Sequence, residues 1–273
     1  MASTVRRHPR MLAAAAAAAA MLALGALGLA LALSSAIPGP GVAQEQSRPD
    51  GFAPEQVEGI EQIVRDYLLA HPEVLIQSLT EFQQRQKVAE KQRQQQTVLA
   101  SRAALGQDPD SPVMGNPDGD VTIVEFFDYK CPYCKRVAGT VKDVVAADGK
   151  IRLVMKEFPI LGPQSIKAAR AALAVARQGK YEEFHWALMT KPGDMSDPHI
   201  RRIARSVGVD VDRMMADMES PEIQAMIQRN QDLAQTLRIT GTPAFVIGDA
   251  LVPGVIDRKT FERLVAQARA KES

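Results

Sequence analysis

The chain has 273 residues, 46% of them hydrophobic and 24% charged, with a formal net charge of +1. That length suits one domain with a sizeable core plus an appendage, two domains at most. The composition excludes wholesale disorder and a polytopic membrane protein, and the balanced charge, with no long basic run beyond the extreme N-terminus, sets nucleic acid aside as a partner.

Residues 1–43 read as an export signal. Arg6, Arg7 and Arg10 precede an uncharged apolar stretch from Met11 to Leu33, and Pro38, Gly39, Pro40 and Gly41 follow. Gly41 and Ala43 supply the small residues of a cleavage site before Gln44. The apolar run at 11–33 is also long enough to cross a bilayer as a helix, so an uncleaved anchor stays open beside cleavage. In both cases the remainder of the chain faces an oxidising compartment.

Residues 44–110 form an N-terminal helical segment with its linkers. Gln44 to Pro54 is polar and reads as linker. Ile60, Ile63, Val64, Tyr67 and Leu68 then fall on one helical stripe, which stops before Pro72. A second helix starts there, with Pro72 in its first position and Glu73 in its first turn. Its apolar positions are Leu75, Leu79 and Phe82, after which Gln83 to Gln96 is polar on every side, as in a helix that is either solvated or frayed. So small an appendage cannot own a good core, and its stripe needs a partner. Periodicity alone leaves open whether that partner is a second copy of the chain or the main domain of the same chain.

Residues 111–273 form the main domain. After a Pro/Gly/Asp-rich connector, Gln107 to Asp120, the run Val121 to Phe127 reads as a buried strand. A helix follows from about Pro132 to Ala146, and a second strand from Ile151 to Phe158. A helical block at about 163–238 is punctuated by Gly179, Pro192, Pro198, Gly208 and Pro221. Strand character returns at Ala244 to Ile247, Gly248 and Asp249 turn the chain into Leu251 and Val252, and an amphipathic helix runs from about Arg258 to Ala270. The order predicts an α/β sheet interrupted by a helical insertion.

The chain has two cysteines, Cys131 and Cys134, three positions apart. In an exported chain this rules out a disulfide-stapled framework and leaves one local pair. Disulfide exchange needs an exposed nucleophilic thiolate and a second thiol close enough to resolve the mixed disulfide. A CxxC at a helix start supplies both: the helix N-terminus stabilises the thiolate of Cys131, and Cys134 sits one turn deeper. Structural zinc would need four ligands, and the remaining candidates, His71, His185 and His199, have no motif spacing, while His8 lies in the signal. No metal site is assigned, although a Cu(I)-binding thiol pair and an inert structural disulfide are the other readings of such a pair.

Glu125, six residues upstream on the feeding strand among Val124, Phe126 and Phe127, reads as a buried acid able to accept the proton of Cys134. A surface glutamate is the alternative. Tyr181, Phe184 and Trp186 cluster near one insertion helix and read as core packing rather than as a peptide groove.

The run Phe126-Phe127-Asp128-Tyr129-Lys130-Cys131-Pro132-Tyr133-Cys134-Lys135, taken with Thr240-Gly241-Thr242-Pro243-Ala244-Phe245, resembles the DsbA-like branch of the thioredoxin superfamily. The resemblance implies a thioredoxin-like fold with a helical insertion and a periplasmic thiol–disulfide oxidoreductase. It assigns Cys131 as nucleophile, Cys134 as resolver, Pro243 as a cis-proline facing the pair, and Pro132, Tyr133 and Thr242 to the substrate groove. Glu125 matches the family's buried acid, and Lys156 loosely matches a buried basic partner. Pro132-Tyr133 replaces the Pro-His of the strongest oxidases, which puts extreme oxidising power in doubt. The implied partners are exported cysteine-containing proteins and a membrane redox partner, with no cofactor. The stretch Ile60 to Leu75 resembles the appended segment of the ScsC-like subgroup, which implies homo-oligomerisation through residues 52–100. An isomerase or reductase kept reduced by a membrane donor, or a copper-binding thiol protein, are the alternative functions.

Overall fold

The computed structural model describes residues 51–191 and 193–272. The expected signal or anchor at 1–43 and the expected break at Pro192 lie outside them. The described chain divides into two units, one ending at Leu69 and one beginning at Ala70.

In the first unit, helix α1 (Pro54–Ala70) carries the expected stripe, and none of its residues is buried. Ile60, Ile63, Val64 and Tyr67 are all exposed. The second unit opens with α2 (Pro72–Ala100), which begins with Pro72 in its first turn and runs unbroken through the polar stretch. Every residue from His71 to Val88 is exposed, including Leu75, Ile76, Leu79 and Phe82. Farther along, the helix is neither frayed nor free. Glu90 pairs with Arg238 at 3.1 Å, Gln95 bonds Asp249, and Val98 is buried.

The remaining elements are α3 (Arg102–Gly106), β1 (Val113–Gly115), β2 (Val121–Phe127), α4 (Pro132–Asp148), β3 (Ile151–Glu157), α5 (Pro163–Ala176), α6 (Tyr181–Thr190), α7 (Asp197–Ser206), α8 (Val211–Asp217), α9 (Pro221–Thr236), β4 (Ala244–Ile247), β5 (Ala250–Pro253) and α10 (Arg258–Glu272). Helices α5 to α9 are the insertion between β3 and β4. The sheet order is β1-β3-β2-β4-β5, with β2 parallel to β3 and every other pair antiparallel. This is the mixed α/β, thioredoxin-like sheet that the sequence predicts.

Strand β2 reads as a nearly continuous apolar run because both its faces are covered. Ile123 and Phe127 join Met155, Phe245 and the buried faces of α4, α10 and the insertion in one core. Val124 and Phe126 face the other way and join Val154, Val246, Ala234 and Leu237, with Val98 of α2 and Leu105 of α3 closing that side. Helix α4 ends where Gly149 takes φ 68°, the left-handed conformation that glycine adopts without a Cβ clash. That stop returns the chain to β3 and leaves the N-terminus of α4 at the carboxyl end of β2.

Candidate active site

Cys131 is the N-cap of α4, with φ −70° and ψ 117°, and Pro132 follows in the first turn. The N–H of Cys134 donates to Cys131 Sγ at 3.4 Å, so the first thiol sits at the positive end of a 17-residue helix. Both cysteines are free thiols. Cys131 Sγ donates to the Thr242 carbonyl at 3.2 Å, and the Thr242–Pro243 peptide is cis. The Pro243 carbonyl accepts the N–H of Gly254 at 2.8 Å, which ties this loop to the end of β5. Cys131, Cys134, Thr242 and Pro243 are thus brought together from opposite ends of the domain.

The sequence reading expects an exposed Cys131. The structure instead leaves the residue 3% exposed, because the Thr242 carbonyl lies against its sulfur. The exposed residues at the tip are Pro132 and Tyr133, the latter 52% exposed with the Arg136 guanidinium 5.1 Å over its ring.

Cys134 is fully buried, and that burial pushes its thiol well above the ordinary range. The Asp128 backbone opposes the shift, and the nearby Glu125 charge adds to it. Glu125 is buried on the same sheet face as Ile123 and Phe127, and desolvation pushes its carboxyl up to about 8. A carboxyl held in that range can give or take a proton near neutral pH.

The loose match of Lys156 is corrected by the sheet register. Lys156 lies opposite Phe126, and Met155 lies opposite Glu125, so the lysine points to the other face. There Lys156 Nζ bonds Asp108 at 3.1 Å and Ser111 at 2.7 Å, pinning the connector before β1. Tyr181 and Phe184 are buried and Trp186 packs against the same core, as core packing requires.

Sequence reasoning missed four buried residues around the site. Glu157 accepts the hydroxyls of Tyr181 at 2.9 Å and Tyr129 at 3.2 Å, and Tyr129 also meets His185 Nδ1 at 3.1 Å. Burial pushes Glu157 well above the usual carboxylate range, with the Asp128 and Glu125 charges adding to the shift, and burial pushes His185 down to about 3. Asp128, fully buried at the end of β2, accepts three backbone N–H groups. In sequence Asp128 and Tyr129 adjoin the Cys motif and Glu157 ends β3, whereas nothing beside His185 on α6 hints at its role.

A thioredoxin-like sheet presenting a CxxC at a helix N-terminus against a cis X–Pro peptide defines a class, the thioredoxin-fold thiol–disulfide oxidoreductases. Residues 122–266 match the DSBA-like thioredoxin domain family, and residues 56–89 match the copper resistance protein ScsC N-terminal domain family. The chain belongs to the DSBA-like thioredoxin domain family.

A thioredoxin-like oxidoreductase from Silicibacter pomeroyi is 52% identical, with TM-score 0.61, over 62% of this chain and 98% of that one. A linker-deletion variant of Proteus mirabilis ScsC is 27% identical, with TM-score 0.62, over 82% of this chain and all of that one (100%). The thiol–disulfide exchange protein α-DsbA2 of Wolbachia pipientis is 32% identical, with TM-score 0.62, over 66% of this chain and 97% of that one. An Na(+)/H(+) antiporter NhaA of Herminiimonas arsenicoxydans is 29% identical over 158 residues, 58% of this chain and 25% of that protein. The chain spans about a quarter of the length of the curated relatives it matches. No helix among the described residues is long and apolar enough to cross a membrane.

Proposed function

We propose that this chain is a periplasmic thiol–disulfide oxidoreductase that exchanges disulfides with cysteines of exported proteins through Cys131 and Cys134. The observation that carries the reading is the Cys131 thiol, placed at the N-terminus of α4 and hydrogen-bonded to the carbonyl before Pro243. In the oxidised enzyme a substrate thiolate attacks Cys131 Sγ, and the bond to Cys134 breaks. Cys134 leaves as a thiolate and takes a proton, for which Glu125 is the buried donor. A second substrate thiolate then attacks the substrate sulfur of the mixed disulfide and releases Cys131, so two electrons pass from substrate to enzyme. Thr242 and the Pro132–Tyr133 tip form the surface on which the substrate segment lies.

Export rests on the signal-like residues 1–43, and a membrane redox partner would reset the pair after each turnover. The exposed stripes of α1 and α2 support homo-oligomerisation through residues 52–100. Several copies of Cys131 on one scaffold would favour shuffling of wrong disulfides over donation alone, which makes isomerisation the second reading.

The test is the equilibrium reduction potential of the pair in glutathione buffers. A value near about −120 mV marks a disulfide donor, and about −180 mV or below marks isomerase or reductase work. Absence of reversible exchange with glutathione would overturn the proposal.

A further inference from the structure

Three cations flank the cysteine pair, Lys130, Lys135 and Arg136, in a chain whose net charge is only +1. Lys130 is exposed, and its Nζ donates to the Leu161 carbonyl at 3.4 Å, which keeps the ammonium beside the turn into Cys131. Lys135 follows Cys134 directly, is half-buried, and donates its N–H to the Cys131 carbonyl at 3.1 Å. The Arg136 guanidinium carbon lies 5.1 Å from the centre of the Tyr133 ring, so its charge folds back over the exposed tip. Among the described residues no ion pair takes any of the three.

The acids near the same sulfur are buried or already engaged. Asp128, 1% exposed, spends its carboxylate on the N–H groups of Lys130, Ile160 and Leu161. Glu125 is buried beneath the pair, where desolvation favours its neutral form. The chain from Phe158 to Lys167 and the loop from Leu237 to Pro243 carry no acid at all. The chain that leaves β5 reaches its first acid at Asp257, which accepts the N–H of Thr260 at 2.7 Å at the start of α10. The basic field continues past Lys135, where Lys135, Lys191 and Arg202 all bear on the ring of His199, with Asp194 as the opposing charge.

A substrate cysteine cannot reach Cys131 without bringing its own sequence neighbours against these cations. Charges at the rim of a contact steer complementary partners and slow the encounter of like-charged ones. We propose that Lys130, Lys135 and Arg136 form a cationic collar that selects substrate cysteines flanked by acidic residues over those flanked by basic ones. The inference rests on the exchange reading and adds a substrate class to it, acidic cysteine-bearing segments. One cation before the pair and two after it suit a ligand that carries its charge beside a thiol, rather than a lipid surface. The same cations also favour the thiolate of Cys131. That effect is equal for every substrate, so a comparison between substrates separates it from recognition.

The experiment uses the full chain in its oxidised form and three thiol peptides that differ only in Asp, Ser or Lys on both sides of the cysteine, with 2-mercaptoethanol as an uncharged thiol. Each peptide's rate constant is divided by its rate constant with bis(2-hydroxyethyl) disulfide, which removes the effect of the flanking charges on the peptide's own thiol. At about 10 mM salt the Asp peptide is expected to react about thirtyfold faster than the Lys peptide, with the Ser peptide between them. At about 1 M salt, where screening acts within about 3 Å, the ratio should fall below about threefold. The triple variant Lys130→Gln/Lys135→Gln/Arg136→Gln should show that small ratio at low salt too, and should lose at least about fivefold more on the Asp peptide than on 2-mercaptoethanol. Equal normalised rates for the Asp and Lys peptides in wild type at low salt, or a ratio that salt does not move, would overturn the proposal. So would an equal loss on all four thiols in the triple variant, which would confine the cations to stabilising the Cys131 thiolate. Thermal denaturation checks the fold of the variant, and the wild-type salt series decides the matter if it does not fold. A wild-type chain inert even to 2-mercaptoethanol would remove the exchange reading, and this inference with it.

Discussion

The thiol of Cys131 donates to the carbonyl of Thr242 at 3.2 Å, across 111 positions of sequence. The same sulfur accepts the N–H of Cys134, so Cys131 faces the cis-proline loop and Cys134 lies behind it, fully buried. This order assigns attack to the outer sulfur and resolution to the inner one. Cys131→Ser is expected to abolish exchange with glutathione disulfide. Cys134→Ser is expected to react once and stop, leaving one glutathione per chain on Cys131, which intact-mass spectrometry reads directly. A stable adduct on Cys134 in the Cys131→Ser chain would reverse the assignment.

Glu125 gives a pH dependence with a definite sign. Its carboxyl titrates near 8 when folded and near 4.5 when free. Between those values the folded chain holds a proton that the unfolded chain has lost, so stability falls as pH rises from 4.5 to 8, by about 5 kcal/mol in all. Glu125→Gln should remove its share of this slope, leaving the share of the same sign that buried Glu157 supplies, and raise the denaturation midpoint at pH 8 while changing little at pH 4. The same variant should slow resolution through Cys134 by about a hundredfold, the usual scale of lost proton transfer. A slowed reaction with an unchanged pH profile would contradict the proton-transfer role.

What the sequence displayed and what it concealed divide along range. Val121 to Phe127, the Cys131–Cys134 pair and the Gly248–Asp249 hairpin were legible because each signal lies within a few residues. Strand β1 was not, since its three residues owe their conformation to antiparallel pairing with Val154, Leu153 and Arg152. The face occupied by Lys156 was equally hidden, because register rather than composition decides whether it meets Glu125 or Asp108. The partners of Tyr129 lie 28 and 56 positions away, a separation at which local periodicity carries nothing.

The exposed stripes of α1 and α2 yield a prediction about assembly. Leu75, Ile76, Leu79 and Phe82 stand in solvent on a helix whose far end is docked, and burying each such side chain contributes roughly 1.5–3 kcal/mol. Ile63→Asp combined with Leu79→Asp should convert an oligomer to monomers in sedimentation equilibrium. The thermal midpoint of the catalytic domain should be unchanged, because neither position is part of its cores. A wild-type chain that sediments as a monomer at all concentrations would refute the assembly.

The hydroxyls on Glu157 stabilise a buried carboxyl, and the ring of His185 contributes to the behaviour in acid. Tyr181→Phe deletes one of the two hydroxyls on a buried carboxyl oxygen, at an expected cost of about 1–3 kcal/mol in chemical denaturation at pH 7. His185 titrates near 3 when folded against 6.5 when free, because burial among Phe127, Tyr129 and Tyr181 disfavours the imidazolium. Below pH 6.5 the unfolded ring takes a proton that the folded ring refuses until about pH 3, so stability falls as pH drops through that window. His185→Phe should flatten this acid slope while losing about 1 kcal/mol at pH 7 for the missing bond to Tyr129. Burial also lowers the pKa of His199, which keeps part of the acid slope. A slope left at its full steepness would mean that the folded His185 ring accepts the proton, and the buried network around Tyr129 would have to be discarded.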